Sequence, residues 1–487
     1  MGRSYTLDDL QKWEARIYEK VQEFGLKCYP QEFEICDHVQ MLGMMTYSGM
    51  PSHYPHWSYG KSFERLKTLY DYGVQGIPYE MVINSDPCIA GLMRDNSLCL
   101  QILTMAHVYG HNDFFRNNFT FDHTQASTVI TRFKSHADRI RSYVEDPSIG
   151  QDGVERVLDA AHALSLQCRR NQAIRRLGRA EQIDRLLAEA ESDRRDRVAL
   201  GQKTANGPAA EHPDIHKFPL EPEENILLFI RDFNPRLTEW EKDLLTIVHE
   251  QALYFQPQIE TKIINEGWAC YWHREIMNSL DLPSDIHMEF LVRHNQVVRP
   301  IPGDINPYNI GLALWDRIEE KELGEARNHS EDRQTPDIRK KMFEIREVDR
   351  DTSFIRRFMD RETMERLDLF EAAPQHGDWV ISKVADEENW RSVRDMLIQS
   401  VGLGGIPRIA VTDGDVDGAR TLLLTHEFDG RELEAKYAEK TLEHVYQLWG
   451  RKVMLETRMN DNETTYSFDD SGLSITAEFG EAQYPSF

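Results

Sequence analysis

The sequence predicts a mainly α protein, a large helical domain with a zincin-like helical core followed by a small α/β C-terminal domain. Three observations carry this prediction. Apolar residues recur at steps of three and four through most of the first 370 positions. Short β-rich runs cluster only after Pro374. The 487-residue chain is long enough for two or three domains and a large core. The expected domains are 1–375, with a polar linker near 198–222, and 376–487.

The elements follow in order. Helical spacing runs from Leu7 to about Gly25 and resumes through the forties. "MPSHYPHWSYGKSFERL" is an aromatic loop leading into a helix that should start near Lys61. In "SLCLQILTMAHVYGHNDFFRNN", Leu100, Leu103, His107, His111 and Phe114 share one helical face, because steps of three and four return to one side. Residues 131–200 form long polar helices whose interleaved acids and arginines mark a solvated, ion-paired face. "LGQKTANGPAAEHPDIHKFP" has the composition of a linker. The helix of "TEWEKDLLTIVHEQALYF" is expected to stop at Pro257, and another follows in "INEGWACYWHREIM". A Pro/Gly loop then leads into a helix starting near Pro307. The polar break "GEARNHSEDRQTPD" separates it from a helical block ending around Phe370. Beyond Pro374, "WVISKVAD", "PRIAVTDG", "RTLLLTHEF", "KVMLETRM" and "TTYSFDD" read as strands, alternating with helices at "ENWRSVRDMLIQSV" and "ELEAKYAEKTLEHVYQLWG".

The net charge of −25 argues against binding duplex nucleic acid or an anionic membrane. Six scattered cysteines form neither a disulfide framework nor a zinc knuckle. The first residues lack the apolar core of a signal peptide, and no apolar run reaches membrane-spanning length. A cytoplasmic protein is the expectation.

Ionisable side chains interrupt three apolar helices. Each helical residue turns about 100°, so Glu266 and His273 fall within about 20° of one another, with Trp268 and Trp272 projecting to the other side as core anchors. His107 and His111 stand one turn apart, the spacing by which one helix offers two ligands to a single metal ion. His249 and Glu250 sit together in "IVHEQALYF". The expected metal ligands are His107, His111, His249, Glu266 and His273, with Glu250 as a catalytic base or second-metal ligand. Such a set suits zinc, with iron and manganese as alternatives. Asn112 and Asn265 are candidates to orient the ligands. The competing reading makes each histidine a hydrogen-bonded core residue.

"HEQAL" begins like HExxH but has Leu253 where the second histidine belongs, while "NEGWACY" resembles the glutamate helix of gluzincin-type peptidases. "DGDVDGARTLLL" has aspartates in calcium-loop order but Leu424 at the twelfth position, so a tight turn is expected. "GLGGIP" lacks the features of a phosphate loop.

Five blocks, "GMPSHYPHWSYGKSFE", "YEMVINSDPCIAGLM", "MAHVYGHNDFFRNNFTF", "PQIETKIINEGWACYWHREIM" and "INPYNIGLALWDRI", together resemble the stage V sporulation protein R (SpoVR) family. The resemblance implies a cytoplasmic bacterial or archaeal protein linked to sporulation or stress response. It also implies partners, a PrkA-type serine kinase and a YeaH/YhbH-type protein, but supplies no catalytic residues. Three functional readings follow. The first is a metal-binding, hydrolase-like protein acting on an amide or peptide bond. The second is a non-catalytic regulatory or scaffold partner of the kinase, and the third a di-metal redox protein.

Overall fold

The computed structural model describes residues 5–72, 79–171, 174–199, 214–301, 304–329, 336–375, 378–416 and 418–478. The mainly α architecture is observed, with a small β-rich C-terminal region. The chain divides into two compact units, Met1–Ser142 with Tyr254–Gly405, and Tyr143–Leu253 with Ile406–Phe487. The expected boundary at 375/376 falls inside the first unit, and most of the expected linker lies outside the described residues.

The first unit opens with helix Leu7–Phe24, started by a reciprocal Thr6–Asp9 capping box and ended by Gly25 at φ 83°. Next comes a three-stranded sheet that the sequence reading did not anticipate. It comprises β1 (Gln31–Cys36), β2 (Glu80–Ile83) and β3 (Cys88–Met93), in the order β1-β3-β2, with β1 parallel and β2 antiparallel to β3. These strands are short. β1 alternates exposed Glu32 and Glu34 with half-buried Phe33 and Ile35, a period of two that was overlooked in six residues, while β3 is buried almost throughout and shows no alternation to read.

Three helices form the centre of this unit. Lys262–Ser279 packs extensively on both Leu98–Asn117 and Pro307–His329. Small residues let the backbones approach. A Cβ on Gly110 would stand 2.6 Å from Ala269 Cα, and one on Gly267 would stand 2.3 Å from the Gly311 carbonyl carbon. Trp268, Trp272 and Trp315 are fully buried around these crossings, as expected for the first two. Asp113 ties the first two of these helices to each other, to helix Pro336–Val348 and to the segment after the first helix. Its Oδ2 accepts from Trp268 Nε1 at 2.9 Å and from Arg346 Nη1 at 3.0 Å, and its Oδ1 accepts from Lys27 N at 2.7 Å. The unit ends with a hairpin of β4 (Phe370–Gln375) and β5 (Asp378–Val384), then helix Trp390–Ser400.

Several boundaries differ from expectation. The helix expected near Lys61 runs Trp57–Asp71, because the His56 imidazole caps it by accepting from Ser58 N. Helix Glu239–Glu260 contains Pro257 instead of stopping there. Proline removes one amide donor, and Thr261 Oγ1 donates to the Pro257 carbonyl one turn on. Helix Pro307–His329 extends into the polar stretch that was read as a break.

The second unit carries a five-stranded sheet ordered β10-β9-β8-β7-β6. Its strands are β6 (Ile409–Val416), β7 (Thr421–His426), β8 (Val453–Met459), β9 (Asn462–Asp469) and β10 (Gly472–Glu478). Helix Ala435–Trp449 connects the one parallel pair, β7 and β8, and packs on helix Gly150–Leu164. The aspartate-rich stretch lies in the antiparallel β6–β7 hairpin. The β8–β9 turn uses Asn460 and Asp461, both at positive φ, as a tight two-residue hairpin requires.

Candidate metal centre

The histidine helix, Leu98–Asn117, starts where Ser97 Oγ accepts from Leu100 N at 3.2 Å, and it is buried from Cys99 to Phe115. A helix with no solvated face must satisfy every polar side chain internally. His107 and His111 are therefore informative. The glutamate helix, Lys262–Ser279, has no cap from its own Thr261. Instead the buried Asp351 carboxylate accepts from Ile263 N at 3.0 Å and Ile264 N at 2.9 Å, fixing the turn that carries Glu266.

These two helices bring His107, His111 and Glu266 together. Glu266 Oε2 lies 3.5 Å from His107 Nε2 and 3.4 Å from His111 Nε2. The imidazole rings stand perpendicular with centroids 4.6 Å apart. One ligand atom from each of the three residues falls within 4.8 Å of the other two, the spacing of a coordination shell. His107 Nε2 and Glu266 Oε2 are both buried without a hydrogen-bond partner among the described residues. Leaving such atoms unsatisfied costs about 1–3 kcal/mol each, more for a charged group. A cation between them would satisfy both.

Burial works against charge on both His111 and Glu266, but their proximity outweighs it. Glu266, with help from Asn265 and Glu80, holds His111 above the usual imidazole range. The two imidazoles hold Glu266 well below the usual carboxylate range.

The surrounding side chains set the tautomers. His111 Nδ1 meets Asn265 Oδ1 at 3.0 Å, which makes Nδ1 the donor and turns Nε2 toward Glu266. Asn265 therefore orients His111 and not its neighbour Glu266. Asn112 has a different task, bonding Tyr29 through both backbone groups and Gln31 through its side chain. His107 Nδ1 lies 2.9 Å from His273 Nδ1, and His273 Nε2 lies 2.8 Å from His294 Nδ1. With His107 Nε2 aproton toward Glu266, each ring in this row donates to the next.

His273 therefore does not join Glu266 on one ion. The two share a stripe, but seven residues advance a helix by about 10 Å, two full turns. His273 belongs to a second grouping, His107, Cys270 and His273. That grouping draws on a histidine pair already hydrogen-bonded to each other. It also needs ionisation of the Cys270 thiol, which burial, Glu266 and Glu80 push well up. The geometry favours the first.

His249 and Glu250 lie in the second unit and in neither grouping. His249 Nδ1 faces Cys168 Sγ at 3.7 Å and Nε2 faces Asn225 Nδ2 at 3.4 Å. Burial and Arg231 bring the imidazole down to about 4, so it is neutral, and Glu250 stands beside it. His249 thus has a neighbour at each ring nitrogen, and among the described residues neither it nor Glu250 falls in a candidate ligand grouping.

Two residues at the centre went unnoticed in the sequence. The charge of Glu266 pushes the Tyr308 phenol well up, and the helix start that places Tyr308 is fixed by Asn306 Oδ1 accepting from Tyr308 N at 3.0 Å. Glu80, first residue of β2, has His107, His111 and Glu266 as its electrostatic neighbours. The only signal for Glu80 was a carboxylate opening the apolar run "EMVI". No spacing rule connects Tyr308 to either helix.

Comparison with known proteins settles the relationship. The family described as "SpoVR like protein" matches residues 4–406, and "SpoVR-like C-terminal domain" matches residues 407–460. The chain belongs to the SpoVR family. This SpoVR-family chain is also similar to "Uncharacterized protein YcgB" of Escherichia coli (strain K12), 33% identical over 492 residues and covering 94% of each chain. No solved structure matches it. Among the described residues, no helix is long and apolar enough to cross a membrane.

Proposed function

We propose that this SpoVR-family chain holds one divalent metal ion through His107, His111 and Glu266 and uses it for hydrolysis of an amide or peptide bond. One observation carries the reading, namely that two buried ligand atoms without a hydrogen bond among the described residues, His107 Nε2 and Glu266 Oε2, converge with His111 Nε2. Two imidazoles and a carboxylate form a three-ligand set of the kind catalytic zinc sites use, with a further position left for water. Iron and manganese accept the same donors. The ion would bring a bound water toward neutral pKa and polarise a carbonyl. In this scheme Asn265 keeps the His111 lone pair on the site, and the His273–His294 row does the same for His107.

The wider setting belongs to the same proposal, a cytoplasmic protein of sporulation or stress response working beside a PrkA-type kinase and a YeaH/YhbH-type protein. The test begins with the metal. Elemental analysis of the purified chain, stripped and reloaded with zinc, should give about one ion in wild type and background levels in Glu266→Gln. A folded wild type that takes up no ion sinks the reading and leaves a scaffold.

A further inference from the structure

We propose that Cys168, His249 and Asn225 form a second reactive centre, a cysteine nucleophile with its base and orienting residue, that takes an acyl group from an ester or thioester. The inference is independent of the metal reading. All three residues lie in the second unit, and none belongs to the His107, His111 and Glu266 grouping.

Three segments far apart in the chain supply the centre. Cys168 lies on the loop after helix Gly150–Leu164, His249 on helix Glu239–Glu260, and Asn225 at the start of helix Ile226–Phe233. His249 Nδ1 stands 3.7 Å from Cys168 Sγ, and its Nε2 stands 3.4 Å from the Asn225 amide. One ring therefore bridges a thiol and an amide, in the order nucleophile, base and orienter of a Cys-His-Asn triad. The Arg170 backbone N–H donates to Glu224 Oε2 at 2.9 Å and ties the cysteine loop to the residue beside Asn225.

Two facts about Asn225 separate this arrangement from ordinary packing. Asparagine at a helix N-cap usually accepts from a first-turn amide, a bond worth about 1 kcal/mol. Asn225 holds that position and makes no such bond, because its side chain turns to His249 instead. It is also only 8% exposed, and its Oδ1 has no hydrogen-bond partner among the described residues. A half turn of the amide plane exchanges its oxygen and nitrogen and sets Oδ1 against His249 Nε2, whose N–H then donates to it. That orientation satisfies the orphan oxygen and fixes the tautomer, with the proton on Nε2 and the lone pair of Nδ1 toward the Cys168 sulfur.

Burial pushes the thiol up to about 12 and, with Arg231, brings the imidazole down to about 4, so the resting pair is neutral. The thiol rests with the Ser165 carbonyl as a second acceptor at 3.0 Å. The imidazole thus receives the proton during attack, as a general base, and forms no standing ion pair. Cys168 sits two residues from exposed Leu166 and beside half-buried Arg169, just beneath the surface of its loop.

The step balances. The thiol proton passes to His249 Nδ1 as sulfur bonds to the carbonyl carbon, and the bond from that carbon to the leaving oxygen or sulfur breaks. The leaving group takes the proton from Nδ1. Water then adds to the acyl carbon and gives its proton to Nδ1. The carbon–sulfur bond breaks and sulfur recovers the proton, so the products are an acid and an alcohol or thiol.

The experiment uses p-nitrophenyl acetate as probe on the full-length chain, following nitrophenolate release and locating the acetyl group by mass spectrometry, with circular dichroism confirming each fold. Wild type should release a burst of about one equivalent and carry the acetyl group on Cys168. Cys168→Ala should abolish the burst. His249→Gln, which keeps the thiol, should slow acetylation by about 100-fold or more. Asn225→Ala should slow it by about tenfold or more, and Asn225→Asp, which keeps an acceptor oxygen, should restore it; this pair decides the matter if His249→Gln does not fold. Acetyl groups on other cysteines with Cys168 untouched, no acetylation of folded wild type, or wild-type rates in folded His249→Gln or Asn225→Ala would each overturn the proposal.

Discussion

Two buried histidines on apolar helices, His107 in the first unit and His249 in the second, look alike in sequence and differ in the structure. Both rings of interest are almost fully buried. His249 has a partner at each nitrogen, the Cys168 thiol and the Asn225 amide, and burial keeps it neutral. His107 has a hydrogen-bond partner at Nδ1 and none at Nε2, which stands 3.5 Å from a carboxylate oxygen that also lacks a hydrogen bond. Burial is therefore uninformative on its own. What separates a core histidine from a ligand is the unmet valence of the second nitrogen, because the interior penalises an unsatisfied polar atom unless something else supplies the partner.

The largest effect should come from breaking that contrast directly. His107→Ala should reduce bound zinc to background, while His249→Ala leaves stoichiometry unchanged, as measured by elemental analysis of the folded proteins. Equal losses in both variants would break the comparison.

Next is the packing that creates the centre. Gly267→Ala drives a methyl into the Gly311 backbone and should destabilise the protein by about 3 kcal/mol, seen as a fall in thermal midpoint. Gly43→Ala, in helix His38–Thr46 with open space around it, should be neutral or slightly stabilising. A third comparison sets Asn265 against Asn225. Asn265→Ala should weaken zinc affinity by about 10–100-fold by releasing His111, and Asn225→Ala should leave affinity unchanged in a zinc titration.

The smallest effect concerns pH. Burial raises Asp351 to about 7 from an ordinary value of 3.8, despite the two amides it accepts. A raised folded-state pKa means that its stabilisation is complete below about 4 and is lost as pH rises through about 7. Asp351→Asn should flatten the fall in thermal midpoint between pH 5 and pH 8. A wild type whose stability rises over that window would contradict this assignment.

Much of this was legible in the sequence, and the limits have physical causes. The histidine helix and the glutamate helix were readable because each is long and strongly periodic. The i, i+4 spacing correctly put His107 and His111 on one face. Stripe geometry gave His273 and Glu266 a shared direction around the helix, which says nothing about the distance along it, and the structure places His273 in a different grouping with His107 and Cys270. The surroundings of His249 were not readable, because its neighbours, Cys168 and Asn225, are 81 and 24 residues away in the chain and follow no motif. Glu80 was hidden because β2 has four residues, too few for a readable alternation. The small residues Gly110, Gly267, Ala269 and Gly311 were visible, but their meaning lies in which helices cross, and that is a tertiary fact.

The most direct measurement is X-ray absorption at the zinc edge of the purified, reconstituted full-length chain. The account predicts about one ion with only nitrogen and oxygen neighbours, at about 2.0–2.2 Å, and loss of the signal in Glu266→Gln. A sulfur neighbour at about 2.3 Å would move the ion to Cys270 and contradict the assignment, and so would a folded protein with no zinc signal at all.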